Sequence, residues 1–158
     1  MSDKRKQPEI VGRAENISFP DFHLENIPAR IDTGARTSAL WASDITVNEG
    51  VLSFVFFGEG SPQYTGERIT FETFEEQVVA SSNGMTERRF KVKLLVKLKG
   101  RKIRASFTLA NRVTQVYPVL VGRNVLLGKF IVDVKRGKTQ FKAEQQRIAD
   151  LQAELKEL

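Results

Sequence analysis

The sequence predicts an all-β domain followed by one helix, and three observations carry that reading. Between Ile10 and Phe141 short apolar runs are broken by Gly, Asn and Pro roughly every ten residues, the spacing of strands and turns, and all 11 phenylalanines lie there. Within that stretch Phe90, Val92, Leu94, Val96 and Leu98 take every second position, which puts one face of a strand into a core and the other into solvent. After it, Lys142 to Leu158 contains no Gly or Pro, and Ile148, Leu151, Leu155 and Leu158 repeat at helical spacing as one apolar stripe.

Taken in order, residues 1–9 are polar and basic with no apolar segment behind them, and are expected to form a flexible tail without a secretory leader. The domain proper is placed at 10–141 and the helix at 142–158. Ile27, Ala29 and Ile31 read as a short apolar strand. Val51–Phe57 and Arg68–Glu72 are further strands, although Phe57 has the wrong parity for the Phe54/Phe56 pair and is expected to bulge or to meet a second copy. Gln77–Ser81 leads into Ser82-Asn83-Gly84, an Asn-Gly hairpin turn. Thr86–Leu98 follows as a long strand, Gly100-Arg101 turns into Ile103–Leu109, and Tyr117–Val121 is apolar throughout, as a buried strand is. Trp41 is expected in the core and His23 on the surface. The C-terminal stripe has two expected docking sites, the barrel or a partner copy.

Composition narrows the chemistry. With 158 residues, 41% hydrophobic and 28% charged, the chain reads as one ordinary folded domain. It has no cysteine and one histidine, so a thiol nucleophile and cysteine-held zinc are excluded, and no His-Glu-x-x-His helix can be written. There is no Gly-x-Ser-x-Gly elbow and no phosphate-cradling Gly-x-x-x-x-Gly-Lys loop. No cofactor or metal is expected. No apolar run reaches the roughly 18 residues of a membrane span, and a cytoplasmic location is expected. Any acid–base chemistry falls to Asp and Glu. The net charge of +6 is uneven, since Arg88 to Arg104 holds nine bases and no acid. That strand is either a solvated face or a surface for a polyanion.

The strongest local signal is Ala29-Arg-Ile-Asp32-Thr33-Gly34-Ala35. Asp32 ends an apolar strand and is followed at once by a small hydroxyl residue and a glycine. A carboxylate there points from a strand end into a loop. Thr33 can anchor that loop, and Gly34 lets backbone approach the carboxylate closely. The alternative is an Asx turn that merely closes the strand. Downstream, Val119-Leu-Val-Gly122-Arg123-Asn124 follows the Asn-Gly hairpin and its basic strand.

In this order the motifs resemble the retropepsin-type aspartic proteases. The resemblance implies a small closed acid-protease barrel with one short helix after Arg123. It makes Asp32, Thr33 and Gly34 the catalytic loop and the hairpin at Ser82, Asn83 and Gly84 the flap over the substrate. The closer resemblance, across 11–134, is to a bacterial branch often labelled ATP-dependent zinc protease and associated with ATP-grasp ligases that add glutamate to proteins. Its motifs stand here as Gly12-Arg13-Ala14-Glu15, Phe19-Pro20, Arg30 to Leu40, Ser81 to Gly84 and Leu120 to Arg123. The composition gives the zinc label no support.

Peptide hydrolysis by carboxylates needs two that share one proton. The chain has one Asp-Thr-Gly, so the second carboxylate is expected from a second copy, in a two-fold homodimer. Retroviral members follow Asp-Thr-Gly-Ala with two acids, whereas Arg36 and Thr37 stand here. The expectation is that Ala35, Arg36, Thr37, Arg88 and Arg123, with the flap, bind a polypeptide substrate, and that Arg36 favours an acidic, glutamate-rich one; the alternative for Arg36 is an ion pair with Glu15, Asp44 or another local acid and no contact with substrate. A different reading keeps the fold and drops the catalysis, leaving a module that binds a polyanion or an acidic protein through the 88–104 strand. Nucleic acid is the weaker partner in that reading, because the basic face shows no aromatic platform.

Overall fold

The computed structural model describes residues 7–80 and 84–157. Eleven strands and two helices follow one another among them. Strand β1 (Glu9–Val11) and β2 (Ala14–Phe19) flank Gly12. A 3-10 turn, Pro20–Phe22, leads into β3 (Leu24–Ile31). Strands β4 (Ser38–Asn48) and β5 (Val51–Phe56) form a hairpin. Its turn, Glu49-Gly50, has φ of 51° and 77°, the left-handed pair that matches strand twist. Then come β6 (Arg68–Phe71), β7 (Glu75–Ala80), β8 (Thr86–Leu98) and β9 (Arg101–Ala110). Strand β10 (Val119–Val121), helix α1 (Arg123–Leu126), β11 (Phe130–Val132) and α2 (Phe141–Lys156) complete the chain.

Six strands close a barrel in the order β10-β3-β2-β8-β9-β4, and β10 pairs with β4 to shut the ring. Strand β10 runs parallel to β3, with Val121 opposite Ile31. Closure leaves those strands without a free edge. A register shift between Ser43 and Thr46, where Asp44 has φ 50°, bends β4 out of the ring. Its second half then pairs with β5, and β5 with β6. Strand β7 pairs with the first half of β8 and makes a hairpin that stands off the barrel.

The interior is filled as the alternation on β8 requires. Phe90, Val92, Leu94, Val96 and Leu98 are buried, while Lys93 and Lys97 are exposed. Phe19 meets Phe107 edge-on at 5.5 Å, and Phe54 stacks on Phe71 at 5.7 Å, separations at which aromatic pairs add to burial. Phe57 is fully buried at φ 64°. The chain bends at this residue and turns its ring into the core, so it does not face a partner. Trp41 is half-buried against the core and His23 is exposed, both as expected.

Two other expectations change. Glu9, placed in the tail, is already paired opposite Phe130 in the parallel β1–β11 ribbon. The stripe on α2 does not pack on the barrel, which leaves a partner copy as its expected site: Ile148, Leu151 and Leu155 are 50%, 41% and 67% exposed, and Leu158 lies outside the described residues. What holds the start of α2 is Tyr117, whose hydroxyl accepts the Gln140 N–H at 2.8 Å and donates to Glu144 at 3.1 Å. Among the described residues no helix is long and apolar enough to cross a membrane.

Candidate active site

On β3, Ile27, Ala29 and Ile31 point into the barrel and Arg30 points out. Asp32 follows as the strand ends, half-buried, and its N–H donates to the Val121 carbonyl at 2.8 Å. The loop then curls round its own carboxylate. Gly34 N–H donates to Asp32 Oδ1 at 2.9 Å and Ala35 N–H to the Asp32 carbonyl at 3.3 Å. A Cβ on Gly34 would stand 3.2 Å from Oδ1, so a larger residue would crowd the bond that orients the carboxylate. Among the described residues no protein donor meets the other oxygen, Oδ2. That oxygen is left for a water or a substrate.

The far side of the loop is held by β10 and α1. Arg123 and Asn124 donate their N–H groups to the carbonyls of Ala35 (2.8 Å) and Arg36 (3.2 Å). The Arg123 guanidinium donates to the Thr33 carbonyl at 3.1 Å. Gly122 passes so close to Thr37 and Ala35 that any Cβ would overlap their backbone, so only glycine fits. Beneath, Ser38 is 1% exposed. Its hydroxyl accepts the Gly122 N–H at 2.9 Å and donates to Asn124 Oδ1 at 2.8 Å, while Asn124 Nδ2 donates to the Ser106 carbonyl at 2.8 Å. The catalytic-type loop is therefore fixed to β9, β10 and α1 by buried polar contacts, which is how a side chain is kept in one geometry.

Thus Asp32, Thr33, Gly34, Ala35, Arg36, Thr37 and Arg123 are brought together. Arg36 is exposed, and among the described residues its side chain has neither hydrogen bond nor ion pair. The acids weighed as its partners are engaged elsewhere. Glu15, buried, accepts the Gly12 N–H at 2.8 Å and faces Lys99 at 3.7 Å, and Asp44 faces Arg68 at 3.9 Å. Arg88 lies on the β7–β8 hairpin, donates to Glu76 at 2.6 Å and covers the Phe90 ring. Gly84 has φ +82°, as an Asn-Gly turn needs; Ser82 and Asn83 lie outside the described residues.

Sequence reasoning did not single out Ser38, Asn124 or Arg112. Ser38 had a signal: it shares inward parity with Leu40 and Ala42 on β4, and a hydroxyl at a core position implies a buried partner. Arg112 had none, since it lies in the 111–118 loop. It is half-buried, donates from Nε to the Tyr117 carbonyl at 3.0 Å, and is close enough to feel the charges of Arg30 and Asp32. Burial, then the like charge of Arg30, hold its guanidinium below the usual value, and Asp32 pulls the other way. Among the described residues no group of three or more His, Asp or Glu side chains is placed to hold a metal ion.

A closed barrel with a parallel strand crossing behind an Asp-Thr-Gly loop, tied down by a short helix, defines a retropepsin-type acid-protease fold. The family model agrees. The chain belongs to the RimB-like family, described as retropepsin-like aspartic endopeptidase RimB, whose profile matches residues 10–143. It is 31% identical over 137 residues to a protein of Shewanella pealeana named probable alpha-L-glutamate ligase, covering 84% of this chain and 29% of that protein. The chain spans less than a third of the length of the curated relatives it matches. A crystal structure of a Legionella pneumophila protein of unknown function superposes at TM-score 0.60 with 26% identity, over 83% of this chain and 97% of that one. EIAV protease complexed with the inhibitor HBY-793 matches at TM-score 0.39 and 17% identity, over 84% and 99% of the two chains.

Proposed function

We propose that this chain is an aspartic peptidase that works as a homodimer and trims acidic, glutamate-rich polypeptide tails. The observation that carries the reading is the Asp32 loop. One carboxylate is oriented by Gly34, keeps an oxygen free among the described residues, and its loop rests on a buried polar network. A second such carboxylate from a two-fold related copy completes a dyad. Two carboxylates that close share one proton, so one acts as acid and the other as base on a water between them. The pair titrates as a unit. Thr33 and Gly34 shape the loop. Ala35, Arg36 and Thr37 form the substrate floor beside it, while Ser82, Asn83 and Gly84, with Arg88, form a flap that closes and excludes water. Arg123 serves through Thr33, whose carbonyl it holds.

Two facts support the acidic substrate. Arg36 is an exposed cation without a partner among the described residues. The curated relatives are named as glutamate ligases, and a peptidase that removes what a ligase adds suits that company. The test is mass spectrometry of products from peptides with glutamate-rich or neutral C-termini, using the parent and Asp32→Asn, with and without chelator. Cleavage lost in the mutant and indifferent to chelator is expected. Cleavage abolished by chelator overturns the carboxylate mechanism.

The second reading, a polyanion-binding module, is favoured by one observation. The outer face of β8–β9 exposes Lys93, Lys97, Lys102 and Arg104, with Lys97 directly opposite Lys102. Binding of an RNA oligonucleotide that falls steeply with salt and ignores Asp32→Asn would favour it.

A further inference from the structure

A cleft of about 400 Å³ opens between the first turns of α2 and the 111–118 loop. Four arginines line it, Arg13, Arg30, Arg112 and Arg147, with Tyr117 and a single acid, Glu144. Glu144 does not neutralise them. Its carboxylate accepts from the Tyr117 hydroxyl, and it forms no ion pair among the described residues. Among the described residues Arg147 meets one acid, Glu154, two turns further along α2 and at the long distance of 3.9 Å. Arg112 spends Nε on the Tyr117 carbonyl, which leaves its two terminal nitrogens without a partner among the described residues. The side chains of Arg13 and Arg30 likewise have none there. Tyr117, itself buried, is bonded twice at its hydroxyl, to Gln140 and Glu144, and once at its carbonyl, by Arg112, so the cleft wall is built rather than a chance gathering of surface chains.

Crowded guanidinium groups with free donors are a site for a carboxylate, which they grip in bidentate fashion. The position of the cleft says whose carboxylate. Arg30 stands near the end of β3, two residues before Asp32, and Arg112 lies within the field of both. A polypeptide laid across Asp32 therefore brings a neighbouring side chain to these arginines. The first turn of α2, with its unpaired N–H groups, adds positive potential at the same mouth.

We propose that this cleft is a substrate subsite, in which Arg30 and Arg112 bind the side-chain carboxylate of a glutamate next to the scissile bond while Arg13 and Arg147 add attraction. The proposal rests on the acidic-substrate reading above and moves the selectivity from Arg36 and the flap to the cleft beside the start of α2.

The test uses the full chain carrying Asp32→Asn, so that substrate binds without turnover. Blocked tetraglutamate and tetraglutamine peptides are titrated calorimetrically at low salt. Arg30→Gln and Arg112→Lys are compared in that background, with Lys156→Gln at the far end of α2 as the charge-matched control. Arg30 is exposed, so its substitution leaves the fold intact, and Arg112→Lys keeps the charge but removes the fork. The expected result is about tenfold weaker tetraglutamate binding in Arg30→Gln and a several-fold loss in Arg112→Lys. Lys156→Gln stays within twofold, and inorganic phosphate competes with the peptide in the parent only. A preference for tetraglutamate that survives both arginine substitutions overturns the subsite alone. Equal binding of the two peptides by the parent overturns the acidic-substrate reading and the subsite with it.

Discussion

Ser38→Ala is the sharpest test of how the candidate catalytic loop is supported. The side chain is small, so the cavity left behind is slight, and the effect comes from hydrogen bonds. Removing Oγ orphans two groups: the buried Gly122 N–H, at 2.9 Å, and Asn124 Oδ1, at 2.8 Å. Asn124 cannot turn its amide to compensate without losing its 2.8 Å bond to the Ser106 carbonyl. A buried donor without a partner costs about 1–3 kcal/mol. The Asn124 oxygen is only part-buried, so water recovers some of its share, and we expect a total near 2–3 kcal/mol. For a chain of 158 residues each kcal/mol lowers the midpoint by roughly 2–4 °C. Ser38→Ala should therefore melt about 4–12 °C below the parent by circular dichroism. Because Gly122 and Arg123 hold the Asp32 loop, kcat on a cleavable peptide should fall while KM changes little. A variant that melts within 2 °C of the parent, or one that loses stability but keeps full kcat, would refute the reasoning that this hydroxyl locks the loop.

Three further outcomes are expected. Mixing the parent with excess Asp32→Asn should suppress cleavage below the value set by dilution, because mixed dimers hold one functional carboxylate; activity that scales only with the parent's concentration removes the shared dyad. The Arg88 hydrogen bond holds Glu76 below the usual carboxylate range. That contribution is fully present above the usual glutamate value and is lost as pH falls through the lowered one, so hydrogen-exchange protection of the β7–β8 hairpin should weaken below about pH 4 in the parent and show no such step in Glu76→Gln. Burial, chiefly, pushes the Tyr117 phenol above its usual value. Its stabilisation is complete below about pH 10 and lost as pH rises through the raised value. Limited proteolysis should then release α2 in alkali, and at neutral pH in Tyr117→Phe, which frees Gln140 and Glu144 together.

Much of the fold was legible because its signals are local. Period-two burial on β8 follows from side chains alternating across a pleat. The positive φ of Gly84 and the helical stripe follow from backbone preferences of a few neighbouring residues. Asp32 could be picked out for the same reason, since a strand end, a carboxylate and a glycine are adjacent in the chain. Phe57 shows where such reasoning stops. Its parity said that it could not continue β5, but the outcome, a left-handed backbone with the ring fully buried, depended on the core it meets. The stripe on α2 marked a helix correctly and said nothing of a docking face, because amphipathicity shows that a face is apolar and does not supply its cover.

The strands, the C-terminal helix, the lone Asp-Thr-Gly and the scarcity of histidine and cysteine could all be read along the chain. Only the tertiary structure decided what surrounds Asp32. Ser38 and Gly122 are 84 residues apart and Arg30 and Arg112 are widely separated too, yet with barrel closure through β10, paired at once with β3 and β4, Ser38 bonds Gly122 and the two arginines line one cleft. Hydrogen bonds and charges act over a few ångströms of space, and a distance of that kind between remote residues is created by folding, so no pattern along the chain could announce it.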